Sequence, residues 1–351
     1  MKNLTVIGLT PFESPDIRLI PKFHKAGAFP VLSLGYDPII AQQALSQLEE
    51  VDISSYGIYF PSNGLMSLDL PDKVSLVILP FGISMPAISG RTIIYQVSTL
   101  QDAKKALEVG ADGIIVKGNE AAGKVGYEST FVLFQRLIKE IKDIPVWLQG
   151  GIGLHTAAAA CALGALGVVL DSQLALFPEC TLPSEFKSLC SKLNGTETKI
   201  IANHRVLVRP DSPLLSEEAK ADELISHFTS LDPTKAYIPM GQDIALAVDL
   251  YENFRSLKNL VFGFQEAMYG HLKQAKALDV IDQNNPLARQ LEIRYPIAQG
   301  PMTRVSDVPL FANSVAEAGG LPFVALSLLK GKSAKELVTE AKVLMGDKTW
   351  G

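Results

Sequence analysis

The chain is short of cysteine, of histidine pairs and of charge, and each shortage excludes something. Its 351 residues hold three cysteines, Cys161, Cys180 and Cys190, an odd number with no CxxC spacing. Neither a disulfide framework nor a zinc site is expected, and the thiols read as small apolar residues in a reducing compartment. The five histidines are scattered, so no metal-ligand spacing arises. Lys and Arg number 32 against 37 Asp and Glu, a net charge of −5 without a basic cluster. Neutralising a phosphate backbone needs grouped Lys and Arg, so nucleic acid is not an expected partner. The opening MKNLTVIGLTPFESPD is broken by Pro11, Glu13 and Pro15 before a long apolar run develops. It reads as neither signal peptide nor membrane helix, and a cytoplasmic protein is expected. No Gly/Ser-rich or like-charge tract interrupts a chain that is 47% hydrophobic and 20% charged, the composition of a compact, enzyme-like protein.

What is present is a regular alternation of apolar strands and amphipathic helices. Strands are expected at Leu4–Leu9, Pro30–Leu34, Gly57–Phe60, Val74–Leu79, Thr92–Val97, Gly113–Lys117, Pro145–Gln149 and Gly167–Leu170. Helices are expected at Arg18–Ala26, Pro38–Glu49, Leu100–Val109, Phe131–Ile141 and Thr156–Leu163. Eight such strands close a parallel (β/α)8 TIM barrel, whose chemistry gathers at the carboxyl ends of the strands. The connection between the third and fourth strands, PSNGLMSLDLPDK, has no clear helix. Strand seven runs into Gly150-Gly151-Ile152, where bare backbone N–H groups can cradle an anion at the start of a helix. The plainer reading is a tight turn that needs glycine.

Beyond the barrel, Ile244–Phe254 and Leu257–Leu278 form a helical pair that packs on the barrel or links it to a neighbour. Residues 282–286 (DQNNP) mark a break, giving expected domains at 1–210, 211–290 and 291–351. The third of these repeats the first: residues 7–34 align without gaps on 299–326, with Gly8 on Gly300, an offset of 300 − 8 = 292. A period that long is a duplicated domain, here the first βαβα of a second, truncated barrel, as if the chain were the amino-terminal piece of something longer.

GADGIIVKGNEAAGKVG (110–126), IPVWLQGGIG (144–153) and YPIAQGPM (295–302) resemble the nitronate monooxygenase (2-nitropropane dioxygenase) family and its relatives, the FMN-dependent enoyl-acyl-carrier-protein reductases. The tandem arrangement is most similar to paired barrels within polyketide- or fatty-acid-synthase-like polypeptides. The resemblance implies FMN, its phosphate held at Gly150-Gly151 and Asp171-Ser172, with Gln96 and Lys117 near the isoalloxazine ring. It implies a QGPM loop under the flavin, intact at Gln299, Gly300, Pro301 and Met302 of the second copy but reading Ile7-Gly8-Leu9-Thr10 in the first. The family's GGH appears as Ala122-Gly123-Lys124. Lys124 is thus either a solvated loop lysine or, as a protonated acid with an ordinary pKa near 10.4, a proton donor. Asp171 stands where the family has glycine, and a carboxylate there opposes a phosphate dianion unless it turns away or is paired.

Two functions follow. One is an FMN-dependent oxidoreductase acting on a small-molecule nitronate or an acyl-carrier-bound enoyl thioester, with NAD(P)H as a candidate reductant. The other is a degenerate barrel that has lost FMN and serves as scaffold or docking unit for downstream synthase domains. Among the remaining residues, Glu120 is expected to brace the backbone, His155 to lie at the surface and Trp147 to sit in the core.

Overall fold

The computed structural model describes residues 5–65, 68–83, 90–213, 215, 220–278 and 280–351. Eight parallel strands, β1 (Thr5–Leu9), β2 (Phe29–Ser33), β3 (Tyr56–Tyr59), β4 (Val74–Pro80), β5 (Thr92–Val97), β6 (Gly113–Lys117), β7 (Val146–Gln149) and β8 (Gly167–Leu170), pair in order and close β8 onto β1. Each lies within a residue or so of its expected position; Leu4 falls outside the described residues. Helices α1 (Leu19–Ala26), α2 (Pro38–Glu49), α3 (Leu100–Glu108), α4 (Thr130–Glu140) and α5 (Leu154–Ala162) follow β1, β2, β5, β6 and β7. Asp37, Thr99 and Ser129 accept backbone N–H groups at the starts of α2, α3 and α4, which satisfies donors that the first helical turn leaves free. Between β3 and β4 the described residues hold one short 3-10 turn, Asn63–Leu65; Met66 and Ser67 lie outside them.

The strand pleat decides what fills the barrel. Ile7, Val31, Tyr59, Ile78, Ile94, Ile115, Trp147 and Val169, one from each strand, form the apolar lumen. Side chains two residues further on face the same way. In β5, β6 and β7 those residues are Gln96, Lys117 and Gln149, and just past β8 it is Asp171, so the top layer of the lumen is polar and charged on that side, while Leu9 of β1 is apolar.

After the barrel come α6 (Ser184–Cys190), an antiparallel pair β9 (Thr198–Ile201) and β10 (His204–Leu207), then α7 (Ala221–Ser226), β11 (Ile238–Pro239), α8 (Ala247–Phe254) and α9 (Leu257–Leu278). Strand β10 also pairs with Gly123–Lys124 and with β11, which ties the loop after β6 to this added layer. Leu257, Leu260, Val261, Phe264 and Met268 of α9 are buried in the cluster that holds the barrel's outer core, so the helical pair packs on the barrel. Residues Met1–His271 form one compact unit and Leu272–Gly351 another; the segment 211–271, expected as part of a linker, belongs to the first. Cys180 and Cys190 are buried and Cys161 partly so, all unpaired, and burial pushes their thiols up to about 12, 12 and 11.

In the second unit, Ala298–Gln299 pairs in parallel with Leu321–Pro322, with helices at Pro309–Glu317 and Lys332–Met345. Its geometry repeats the first unit's opening: Gly27 and Gly319 (27 + 292) both end a helix at positive φ, and Phe12 and Arg304 (12 + 292) share φ of 61° and 64°. The strand register differs by one residue, Ile7 facing Phe29 while Ala298 faces Leu321. Two strands do not make a barrel, and the four QGPM residues stand at the end of the first of them. Gln299 Oε1 accepts from the Phe323 N–H (3.3 Å), the Met302 N–H donates to Ser306 Oγ (2.7 Å), and Gly300 and Pro301 are exposed.

Candidate active site at the barrel mouth

The four polar residues at the ends of β5 to β8 are joined in one direction. Lys117 Nζ donates to Gln96 Oε1 (3.4 Å), Gln96 Nε2 to Gln149 Oε1 (2.7 Å), and Gln149 Nε2 to Asp171 Oδ2 (2.8 Å). Each glutamine passes the donor role onward, so the chain leads from a cation to an anion. All four side chains are buried, where such a network is stable only if every member is partnered.

Across the mouth lies Glu13, a residue that sequence reasoning did not single out. It follows β1 in a tight turn in which Phe12 and Glu13 both take positive φ, 61° and 50°. The turn aims the carboxylate into the lumen, where Tyr59 Oη donates to Oε1 (3.1 Å) and Tyr36 Oη to Oε2. Lys117 Nζ is 3.9 Å from Oε1. Burial, then the charge of Glu13, pushes both phenols well above the ordinary tyrosine value, so they remain donors. Gly123 makes room for this carboxylate: a Cβ at that position would lie 2.0 Å from Glu13 Oε1. That contact and its φ of 70° both call for glycine there.

The two loops expected to hold a phosphate do meet. Yet the N–H groups of Gly151, Asp171 and Ser172 are already taken. Gly151 N–H donates to Asp243 Oδ1 at 2.6 Å, and Ser172 N–H donates to Asp171 Oδ1. The Asp171 backbone N–H reaches Gln173 Oε1 (2.9 Å), and Ser172 Oγ accepts from Gly241 N–H (3.0 Å). The segment Gly241–Asp243 thus fits between the loops, with Gln242 N–H donating to Glu120 O (2.7 Å). Glu120 itself accepts from the Thr130 N–H and hydroxyl at the start of α4, the bracing role expected of it. Asp243 is 2% exposed and its Oδ2 has no partner. Burial, then the Asp171 charge, holds its carboxyl well above the usual carboxylate range, against the Gly151 hydrogen bond.

A carboxyl whose pKa is raised on folding keeps its proton where the unfolded chain has lost it. Stability therefore falls as pH rises from about 3.8 toward the folded value. Asp243→Asn is expected to remove that slope, leaving the variant more stable than the parent near neutral pH and the two closest near pH 4, a difference read from thermal melts across that range.

Of the expected site residues, Gln96, Lys117, Gly123, Gly150, Gly151, Asp171 and Ser172 are gathered at one rim. Lys124 is exposed there, its Nζ donating to Phe81 O (3.2 Å), and belongs to the two-residue strand opposite His204. His204 is buried, and burial lowers its pKa. His155 is exposed and stacks on His271 (4.7 Å), while Trp147 lines the lumen. Among the described residues no group of three or more His, Cys, Asp or Glu could hold a metal, and no helix is long and apolar enough to cross a membrane.

Residues 69–208 match the family model described as nitronate monooxygenase. The matched stretch lies in the barrel and the layer added to it, and there the chain is similar to that family. The chain is 36% identical over 103 residues to a (3aS,4S,5R,7aS)-5-hydroxy-7a-methyl-1-oxo-octahydro-1H-indene-4-carboxyl-CoA dehydrogenase of Rhodococcus jostii, covering 28% of each chain. FabK from Thermotoga maritima superposes with a TM-score of 0.63 at 20% identity, over 79% of this chain and 96% of that one. A nitroalkane oxidase from Streptomyces ansochromogenes does so with 0.62 at 18%, over 78% and 98%. At such identities these two speak for the fold. The chain spans between 28% and 59% of the length of the curated relatives it first matches. The homologues are oxidoreductases of the nitronate monooxygenase and FabK type, which supports an oxidoreductase of this lineage.

Flavin is the cofactor that the family likeness implies, and the residues around Gly151 and Ser172 do not fit its phosphate. A phosphate at Gly151 would have to displace the Asp243 carboxyl and sit beside two more carboxylates, those of Asp171 and Glu120. Gln96 and Lys117, the residues expected beside the ring, are tied to Gln149 in one hydrogen-bonded chain. Beside that chain is a cavity of about 110 Å³ lined by Pro80, Phe81, Gln96, Ser98, Asp102, Lys117 and Lys124 among others, below the roughly 300–1,000 Å³ of small-molecule sites.

Proposed function

We propose that this nitronate monooxygenase-like barrel works without flavin, as a structural and docking unit of a larger synthase-like polypeptide. The observation that carries the reading is the 2.6 Å hydrogen bond from Gly151 N–H to Asp243, which puts a carboxyl of the chain's own where the family likeness calls for a phosphate. The buried ion pair and tyrosines at the mouth support it, since they brace the lumen with no ring present.

A second reading has support of its own. The family match favours an FMN-dependent oxidoreductase of nitronate or enoyl-thioester type using NAD(P)H. So does a cavity of about 760 Å³ beside the mouth, with Glu13 and Tyr36 in its wall and Leu34, Ile225, Phe228 and Ile238 around them, large enough for a small-molecule substrate. In that reading FMN would supply the hydride chemistry and Lys124 would hold a proton near the substrate.

The first reading predicts a colourless protein as purified. After addition of FMN it is expected to consume neither a nitronate with oxygen nor an enoyl thioester with NAD(P)H above the rate of buffer. A yellow protein carrying one flavin per barrel and turning over either substrate would establish the second.

A further inference from the structure

Lys117, besides its place opposite Glu13, is a reactive group at the mouth. Lys117 ends β6 with its side chain 3% exposed. An ammonium has three donors to place. This one has a hydrogen bond of 3.4 Å to Gln96, a carboxylate at 3.9 Å and the Tyr59 ring at 5.7 Å, weak compensation for a buried charge. Burial pushes its pKa below the ordinary lysine value, while Glu13 and Asp171 hold it up. Lys117 also lines the 110 Å³ cavity, whose wall includes a second, exposed lysine, Lys124, the polar side chains of Gln96 and Ser98, and one acidic residue, Asp102. A buried amine and a solvated ammonium on one small cavity suit a ligand of a few heavy atoms that carries a carbonyl next to a carboxylate.

We propose that the barrel mouth captures a small 2-oxo acid, its carboxylate paired with Lys124 and its C2 carbonyl bonded covalently to Lys117 as an imine. The neutral Lys117 nitrogen adds to C2, forming the C–N bond, and the carbonyl oxygen becomes a hydroxyl. The first amine proton passes to that oxygen as the C=O π bond opens; Glu13, fixed by Tyr36 and Tyr59, takes the second from nitrogen and returns it to the hydroxyl, which departs as water while the C=N bond forms. Amine and carbonyl give imine and water; nothing is oxidised or reduced. Buried lysines are known carriers of this chemistry because desolvation frees their lone pair. The inference rests on the flavin-free reading, since a bound isoalloxazine would fill the same space.

The test is reductive trapping on the whole chain with glyoxylate and borohydride, read by intact mass and peptide mapping. One adduct per chain is expected, on Lys117, formed about tenfold faster than on any exposed lysine because more of its amine is unprotonated. Acetaldehyde, which lacks the carboxylate, is expected to lose most of that advantage, and Lys124→Ala to erase the preference for glyoxylate over acetaldehyde while Lys117 is still labelled. Lys117→Arg, checked for folding by circular dichroism, should remove the adduct. Label spread over surface lysines in order of exposure, with Lys117 unmodified in flavin-free protein, overturns the proposal. Flavin in the purified protein would instead overturn the reading beneath it.

Discussion

Replacing Asp171 by Gly and Asp243 by Ser together is expected to turn a barrel that takes up no FMN into one that does. Asp243→Ser frees the Gly151 N–H that its carboxyl now occupies. Asp171→Gly frees the Ser172 N–H and releases Gln149 from the chain crossing the mouth. Two like charges 4 Å apart repel by about 4 kcal/mol at an effective dielectric of about 20. Lifting even one such repulsion against a phosphate is worth about a thousandfold in affinity, since about 1.4 kcal/mol is tenfold. Riboflavin has no phosphate and is expected to gain far less, so the ratio of FMN to riboflavin binding reports on the cradle itself. An equal gain for both ligands would mean that the carboxyls guard the ring position rather than the phosphate.

Lys117→Met is expected to destabilise the first unit by about 3–5 kcal/mol, the range for removing one partner of a buried ion pair. The change strands the Glu13 carboxylate, 6% exposed, with two tyrosine hydroxyls, and leaves Gln96 Oε1 without its donor. Adding Glu13→Leu should recover most of the loss, because an apolar pair of similar bulk costs little where a lone charge costs much. Urea unfolding of the parent, both single variants and the double gives the coupling. A loss under about 1 kcal/mol for Lys117→Met would mean that the pair contributes no more than an exposed one.

The barrel was legible because each strand carries its own apolar signal. β6, Gly113–Lys117, is continuous and bounded by Gly110 and Gly118, and it forms where its residues say it should. The gathering of Gln96, Lys117, Gly150, Gly151, Asp171 and Ser172 at one rim follows from strand ends alone. The polar top layer was half visible: counting two residues on from Ile94, Ile115 and Trp147 gives Gln96, Lys117 and Gln149, yet Gln149 read only as the end of a strand. Asp243 was out of reach. It lies 92 residues from Gly151, in a segment whose spacing announced an amphipathic helix and nothing about where its first turn would reach. Glu13 was hidden for a different reason, since only a turn with two consecutive positive φ values brings it inward and neither Phe12 nor Glu13 favours that conformation. The division of the chain at residue 271 follows from α9 burying its apolar face on the barrel, whereas the DQNNP turn marks only a break in periodicity.

Equilibrium dialysis of FMN against the unaltered protein tests the self-occupied cradle most directly. No saturable uptake is expected, with the Gly151→Asp variant indistinguishable from the parent. Stoichiometric FMN binding that Gly151→Asp abolishes would contradict the account, for it would place the phosphate at the N–H group assigned to Asp243.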